Sequence, residues 1–366
     1  MMRFMCLGLA AFLFLPFCTW AGQDETVLGK TRTQWLQLLK MAKEAKVRRA
    51  ALIAVEVFGP KMTGVTDGVI EALEKDANTE VRRDAAQALA RMGADAKGAV
   101  DALADALKKD KDGGVREAAA RGLGRLAAQV DTQTFILAGA LADPHAGTRA
   151  AAAEALNALG DKARLALPQL LKVLVDKKAD RFPRMYAAQI MGRFDIEAGT
   201  TVPALLSACV DKDADVKVRE AAADALGRLG TAADAAAQAL AKIVQAKEEQ
   251  AELRRAAVVA LGKVGGKAAV AWPAIKVAIK DRDNGLRYQA IRLAGALAKD
   301  DKTIVASLAE AAVKDENVEN RLAAIQELGE LGSMAADAVS TLMQLSADSR
   351  GSIREAAADA LKKIKS

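Results

Sequence analysis

One histidine and three cysteines are all the imidazole and thiol available to this 366-residue chain, and they set a low ceiling on its chemistry. His145 stands in Asp143-Pro144-His145-Ala146-Gly147, and Cys209 keeps helical register with Val202, Leu205 and Leu206, the spacing of a buried stripe. Zinc sites draw on clustered His and Cys, and a diiron site on several His and Glu pairs; one of each builds neither. A Ser-His-Asp or Cys-His arrangement has only His145 to use, which is expected as a solvated turn residue. Gly122-Leu123-Gly124-Arg125-Leu126-Ala127 imitates a dinucleotide fingerprint, but no strand precedes it and it falls inside a helical pattern. Gly265-Gly266-Lys267-Ala268 lacks the earlier Gly and the closing Ser or Thr of a phosphate loop. The expectation is a non-enzyme with no cofactor, no catalytic residue and no metal ligand.

What does recur is arginine. Arg48, Arg82, Arg116, Arg149, Arg184, Arg219, Arg254, Arg287, Arg321 and Arg354 follow one another at 33 to 35 residues, and three positions after each stands an alanine, from Ala51 to Ala357. A period in this range marks a solenoid, whose units bury their apolar faces only by stacking on neighbours. Seven positions after the arginine comes a large apolar residue, such as Leu89, Leu123, Leu156, Leu226 or Leu261, with Met191 once and deviations at Val55 and Ala294. Small and large layers therefore alternate along the stack.

Two amphipathic helices account for each unit. Val81, Ala85, Ala88, Leu89 and Met92 share one face of the second helix, opposite Arg83, Gln87 and Arg91, and Gly93 ends it; Val100, Leu103, Ala104 and Leu107 then open the next unit. Pro168, Pro203 and Pro273 are expected near the starts of first helices, where a missing N–H costs nothing. Six positions before the arginine stands an acid: Asp76, Asp110, Asp143, Asp213, Asp281, Asp315 and Asp348, with Glu248 as the eighth case and Ala42 and Lys178 breaking the row. Placed in the turn, these acids can accept N–H bonds at the start of the second helix. They can also face Arg82, Arg116, Arg149, Arg219, Arg287, Arg321 and Arg354 from their own and adjacent units, which makes an acid–guanidinium ladder.

The turn acid, the arginine preceded by an apolar residue as in Val81-Arg82, Val115-Arg116 and Val218-Arg219, and the Ala and Leu register resemble HEAT repeats, especially the short subtype similar to phycobilisome-lyase repeats. The resemblance runs from about Thr31 to Ser366. It implies an all-α fold, a right-handed α-solenoid (superhelix) of about ten HEAT-like helix-turn-helix repeats, with the second helices on the concave side. Members of the family look like scaffolds, adaptors, chromophore lyases and, in one branch, a diiron hydroxylase. Nine positions after the arginine, Arg91, Arg125, Arg193, Arg228, Lys263 and Lys363 form a broken basic ridge, interrupted by Glu330. A cation here also meets the helix macrodipole favourably, by about 0.3–1 kcal/mol.

The ends and the charge complete the reading. Arg3, the apolar run Phe4 to Phe17 and the small residues in Thr19-Trp20-Ala21 read as a signal peptide over residues 1–21, followed by a linker over 22–30 and the solenoid over 31–366. Cleavage removes Cys6 and Cys18, leaves Cys209 without a disulfide partner, and lowers the net charge of +6 by the one charge of Arg3. So mild a bias, with aromatics at 4%, argues against nucleic acid as the partner. Lys362-Lys363-Ile364-Lys365 reads as a polar end cap, and Trp35 and Phe58 enrich the packing of the first unit. The function expected is an exported, periplasmic or extracellular scaffold that binds a protein, acidic where it meets the ridge; a bilin-lyase-like role or that of an auxiliary enzyme subunit is the alternative.

Overall fold

The computed structural model describes residues 26–365 apart from 97, 127–132, 195–196, 266–267 and 298–301; the expected signal peptide lies outside the described residues. Helices follow in pairs: α1 (Arg32–Met41) with α2 (Ala45–Phe58), α3 (Val65–Lys75) with α4 (Thr79–Met92), α5 (Ala99–Lys109) with α6 (Gly113–Arg125), α7 (Thr134–Ala140) with α8 (Ala146–Ala158), and α9 (Leu167–Val175) with α10 (Arg181–Met191). Then come α11 (Ala198–Val210) with α12 (Val216–Leu229), α13 (Ala237–Gln245) with α14 (Ala251–Lys263), α15 (Ala268–Ala278) with α16 (Asn284–Leu297), α17 (Lys302–Lys314) with α18 (Val318–Glu330), and α19 (Val339–Leu345) with α20 (Gly351–Lys365). Each periodic arginine sits in an even-numbered helix, so the sequence period is one helix pair. Within the expected linker, Thr26–Val27 pairs antiparallel with Lys30–Thr31, and the Val27 carbonyl accepts the indole N–H of Trp35 at 2.8 Å.

Each even helix packs on its own odd partner and on the even helices before and after it, and the core runs through the stack without a break. All ten alanines placed three residues after an arginine have no exposed surface, as do Leu89, Leu123, Leu156, Met191 and Leu226 in the large layer. With no space beside it, Ala222 cannot accept a longer side chain. Ala222→Leu is expected to cost about 1–3 kcal/mol of stability; a thermal midpoint equal to that of the parent would mean the layer has room.

Neighbouring even helices approach so closely that glycine becomes a spacing residue. A Cβ on Gly124 would lie 2.9 Å from Ala155 Cα, one on Gly192 2.7 Å from Ala225 Cα, and one on Gly227 2.9 Å from Ala260 Cα. The glycines that imitate a nucleotide fingerprint thus serve helix contact. Odd helices leave clefts between them, such as one of about 760 Å³ between units two and three.

Two expectations about helix starts need correction. Pro203 and Pro273 lie inside α11 and α15, about a turn beyond their first residues, whereas Pro168 does occupy the first turn of α9. The helices simply begin earlier than the prolines: Thr201 Oγ1 donates to the Glu197 carbonyl at 3.1 Å and so uses one acceptor of the opening turn of α11.

Candidate functional site

The ladder exists, with a geometry more specific than the sequence suggests. Arg82 Nη1 donates to the carbonyls of Asp76 and Ala77, closing its own turn, while Nε and Nη2 donate to the two oxygens of Asp110 in the next unit at 2.7 and 3.0 Å. Asp110 Oδ1 also accepts the N–H of Asp112 at 2.9 Å, and the Asp112 side chain caps α6. Arg48–Asp76, Arg116–Asp143 and Arg287–Asp315 repeat this two-pronged contact; Arg254–Asp281 and Arg321–Asp348 keep one oxygen, at 2.8 and 2.5 Å. Arg82, Arg116, Arg149, Arg287 and Arg354 take the backbone carbonyl of their own unit's acid and not its carboxylate, and Arg321 takes the Ala312 carbonyl, which corrects the expectation of contacts within and between units. The carboxylate has already turned toward the preceding unit. Caps come from the residue two places after the acid: Asn78, Asp112, His145 and Asn317.

Three arginines and one acid depart from the expected ladder. Arg354 meets only the carbonyls of Asp348 and Ser349, because no unit follows it. Asp213 is exposed and bonds no arginine among the described residues. The reason is turn length: residues 176–180, 211–215 and 246–250 separate the helices of units five to seven, against 76–78 in unit two. The acid that ends the odd helix is therefore Asp176 or Asp211, two positions earlier than Lys178 or Asp213. Their Oδ1 atoms accept the N–H groups of Lys178 and Asp213, as Asp76 accepts that of Asn78. Lys177 meets Asp211 at 3.2 Å, while the Nε atoms of Arg184, Arg219 and Arg254 turn inward to the carbonyls of Leu174, Cys209 and Val244. Arg219 still bridges to the next unit through Glu249, not Glu248, with two bonds of 2.8 Å. Arg149 bonds its own turn but no carboxylate; the ring of Phe182 lies over it instead, 5.5 Å from its Cζ. An acid eight positions before the arginine instead of six, Asp176 before Arg184 and Asp211 before Arg219, was the available signal for these shifts.

The ladder carboxyls titrate low. Burial pushes Asp76, Asp110, Asp143, Asp281 and Asp315 upward, but the guanidinium bond, a backbone N–H and the charge of nearby arginines together outweigh it. For Glu249 and Asp348 the bonds from Arg219 and Arg321 dominate outright. A folded-state value below the unfolded one gives stability that is present above the unfolded pKa of about 4 and lost as pH falls through the folded values. Asp224 and Glu327, which burial pushes up, act in the opposite sense but are only two groups. The thermal midpoint should therefore fall steeply below about pH 4; a midpoint that is flat or rising there would contradict the ladder.

The basic ridge is divided in its engagements. Arg91 grips Glu56 of the preceding unit at 2.6 and 2.8 Å, and Lys363 meets Glu330 at 2.6 Å. Arg193 and Arg228 donate to the carbonyls of Asn157 and Gln189 and keep exposed heads. Arg125 and Lys263 are exposed and make no hydrogen bond to the described residues. Elsewhere the even-helix face pairs its charges across units, as in Arg49–Asp84, Arg121–Glu154, Arg255–Asp283 and Arg292–Glu327.

The residues weighed for catalysis lie in structural positions. His145 Nδ1 accepts the N–H of Thr148 as the cap of α8, and burial pushes the Cys209 thiol up to about 12, which removes its thiolate.

Against known families, the chain matches HEAT repeats over residues 33–124, 66–157, 100–182, 167–262 and 271–362. The chain belongs to the HEAT-repeat family. Among solved structures, this HEAT-repeat chain is similar to Kap95p, whose binding induces the switch loops of RanGDP to adopt the GTP-bound conformation, at 14% identity and a TM-score of 0.65, over 91% of this chain and 50% of that one. It is also similar to importin beta, at 15% and 0.58, over 90% and 53%, and to Kap121p bound to Nup53p, at 14% and 0.53, over 91% and 45%. The HEAT-repeat chain thus spans about half the length of these structures, and at such identities the likeness shows the solenoid fold alone. No curated protein matches its sequence. No described helix is long and apolar enough to cross a membrane.

Proposed function

We propose that this HEAT-repeat protein is a non-catalytic scaffold that binds a protein partner along the inner face of its even helices. The observation that carries the reading is that continuous face, where Arg125, Arg193, Arg228 and Lys263 are exposed and form no ion pair with the described residues, Asp224 being the acid whose field Arg228 and Lys263 share, while the surrounding charges are paired across units. The solved structures of similar fold include one bound to Nup53p. At about 10 Å per stacked helix pair, ten units extend on the order of 100 Å, enough to hold a long partner or bridge two. The partner expected is acidic where it meets these bases.

The composition of residues 1–21 supports export to the periplasm or beyond, with cleavage after Ala21. Mass spectrometry of the mature N-terminus tests this, and an intact Met1 would refute it. The lyase alternative has only the resemblance of repeat subtype in its favour.

Changing Arg125, Arg193 and Arg228 together to Glu should abolish the wild-type crosslinks to partner proteins in the source cell, with the helical signal and thermal midpoint kept. Crosslinks unchanged in that variant would move the contact off this face.

A further inference from the structure

We propose that the interrupted rung between units four and five is a seat for a carboxylate brought by the bound partner, an Asp or Glu side chain that takes the place an internal acid holds elsewhere. The inference deepens the scaffold reading and rests on it for the source of the carboxylate.

Arg149 is held as its ladder counterparts are. Its Nη1 donates to the carbonyls of Asp143 and Pro144 at 2.8 and 3.1 Å, matching Arg82 on Asp76 and Ala77 and Arg116 on Asp110 and Lys111. In Arg82 and Arg116 the remaining edge, Nε and Nη2, receives both oxygens of a carboxylate from the next unit. In Arg149 that edge receives nothing from the described residues: Nε is buried without an acceptor, and Nη2 makes no hydrogen bond to them. An arginine N–H buried without a partner forgoes about 1–3 kcal/mol, which an arriving acceptor recovers.

The surroundings favour an anion. Phe182, at the start of α10, covers the guanidinium and is itself only partly buried, and Arg181 lies on the same ring with its Cζ 4.8 Å from the centroid. Two guanidiniums thus lie against one partly exposed ring. Arg181 has only a loose contact with Asp215, at 3.7 Å, so its charge is largely unspent. The acid of unit five, Asp176, turns to the N–H of Lys178 and makes no bond to Arg149. A planar carboxylate fits a guanidinium edge with two parallel bonds, as the neighbouring rungs demonstrate.

The test follows the Nε–H resonance of Arg149 in the full chain during titration with sodium acetate and, separately, with a hexa-aspartate peptide. Both should shift it, with the peptide effective at about tenfold lower carboxylate concentration, the worth of one further charge-assisted bond. Arg149→Lys keeps the charge but loses the two-pronged edge, and should weaken peptide binding about tenfold. Phe182→Ala uncovers the edge and should tighten it, which keeps the proposal open to test if Arg149→Lys fails to fold. A resonance that moves with neither titrant overturns the seat. Acetate and peptide acting equally per carboxylate would reduce it to a small-anion site and overturn the partner assignment. If the Arg149 shift persists in the Arg125, Arg193 and Arg228 reversal while that variant keeps every native crosslink, the inner-face reading fails and the seat stands.

Discussion

Arg254→Ala should lower stability by about 3–5 kcal/mol, the cost of removing one partner from a buried ion pair. Arg254 is 3% exposed; Nε and Nη2 both donate to the Val244 carbonyl, and Nη2 also meets Asp281 Oδ2 at 2.8 Å. Its loss leaves the Asp281 carboxylate buried, with the N–H of Asp283 as its remaining bond. Because each unit touches only its neighbours, the damage concentrates at the contact between α14 and α16 and should split urea unfolding into two steps. Arg354→Ala removes the same residue type from an exposed terminal turn where it pairs with no carboxylate, and should stay within about 0.5 kcal/mol of the parent. Equal losses in the two variants would show that the arginine acts within its own turn and not between units.

The second large effect is expected in the core. Leu226 has no exposed surface on α12, a helix that packs against α10, α11 and α14. Leu226→Ala should cost about 2.7–5.0 kcal/mol, as the cavity and the lost apolar transfer add. The upper part of that range is expected because the neighbouring even helices cannot close in: Gly192 and Gly227 already bring backbones to contact distance at Ala225 and Ala260. A loss below about 1 kcal/mol, measured by urea unfolding, would mean that the stack relaxes to fill the space. Met191 stands at the same position in unit five with equal burial, so Leu226→Met should be nearly neutral.

Both expectations start from spacings visible in the chain, and both depend on something the spacing did not contain. The recurrence of Arg, Ala and Leu was enough for ten helix pairs, for the identity of the buried face, and for turn acids near guanidiniums. Which oxygen meets which arginine was not available, because a turn acid at position −6 reads the same whether it pairs within its unit or with the unit before. Glu248 and Glu249 are likewise adjacent in sequence, and only the path of the turn at 246–250 selects Glu249.

Residue types and their period determined the architecture of this protein, since an apolar face repeated every helix pair has no way to be buried except by stacking. Only the tertiary structure decided where the ladder is continuous. Two extra residues in the turns of units five to seven move the acids relative to the arginines by more than a hydrogen-bond length, and distance, not composition, determines whether a charge is paired. The same principle left Arg149 without an acid and put Phe182 over it, a contact between residues 33 positions apart that no local pattern specifies.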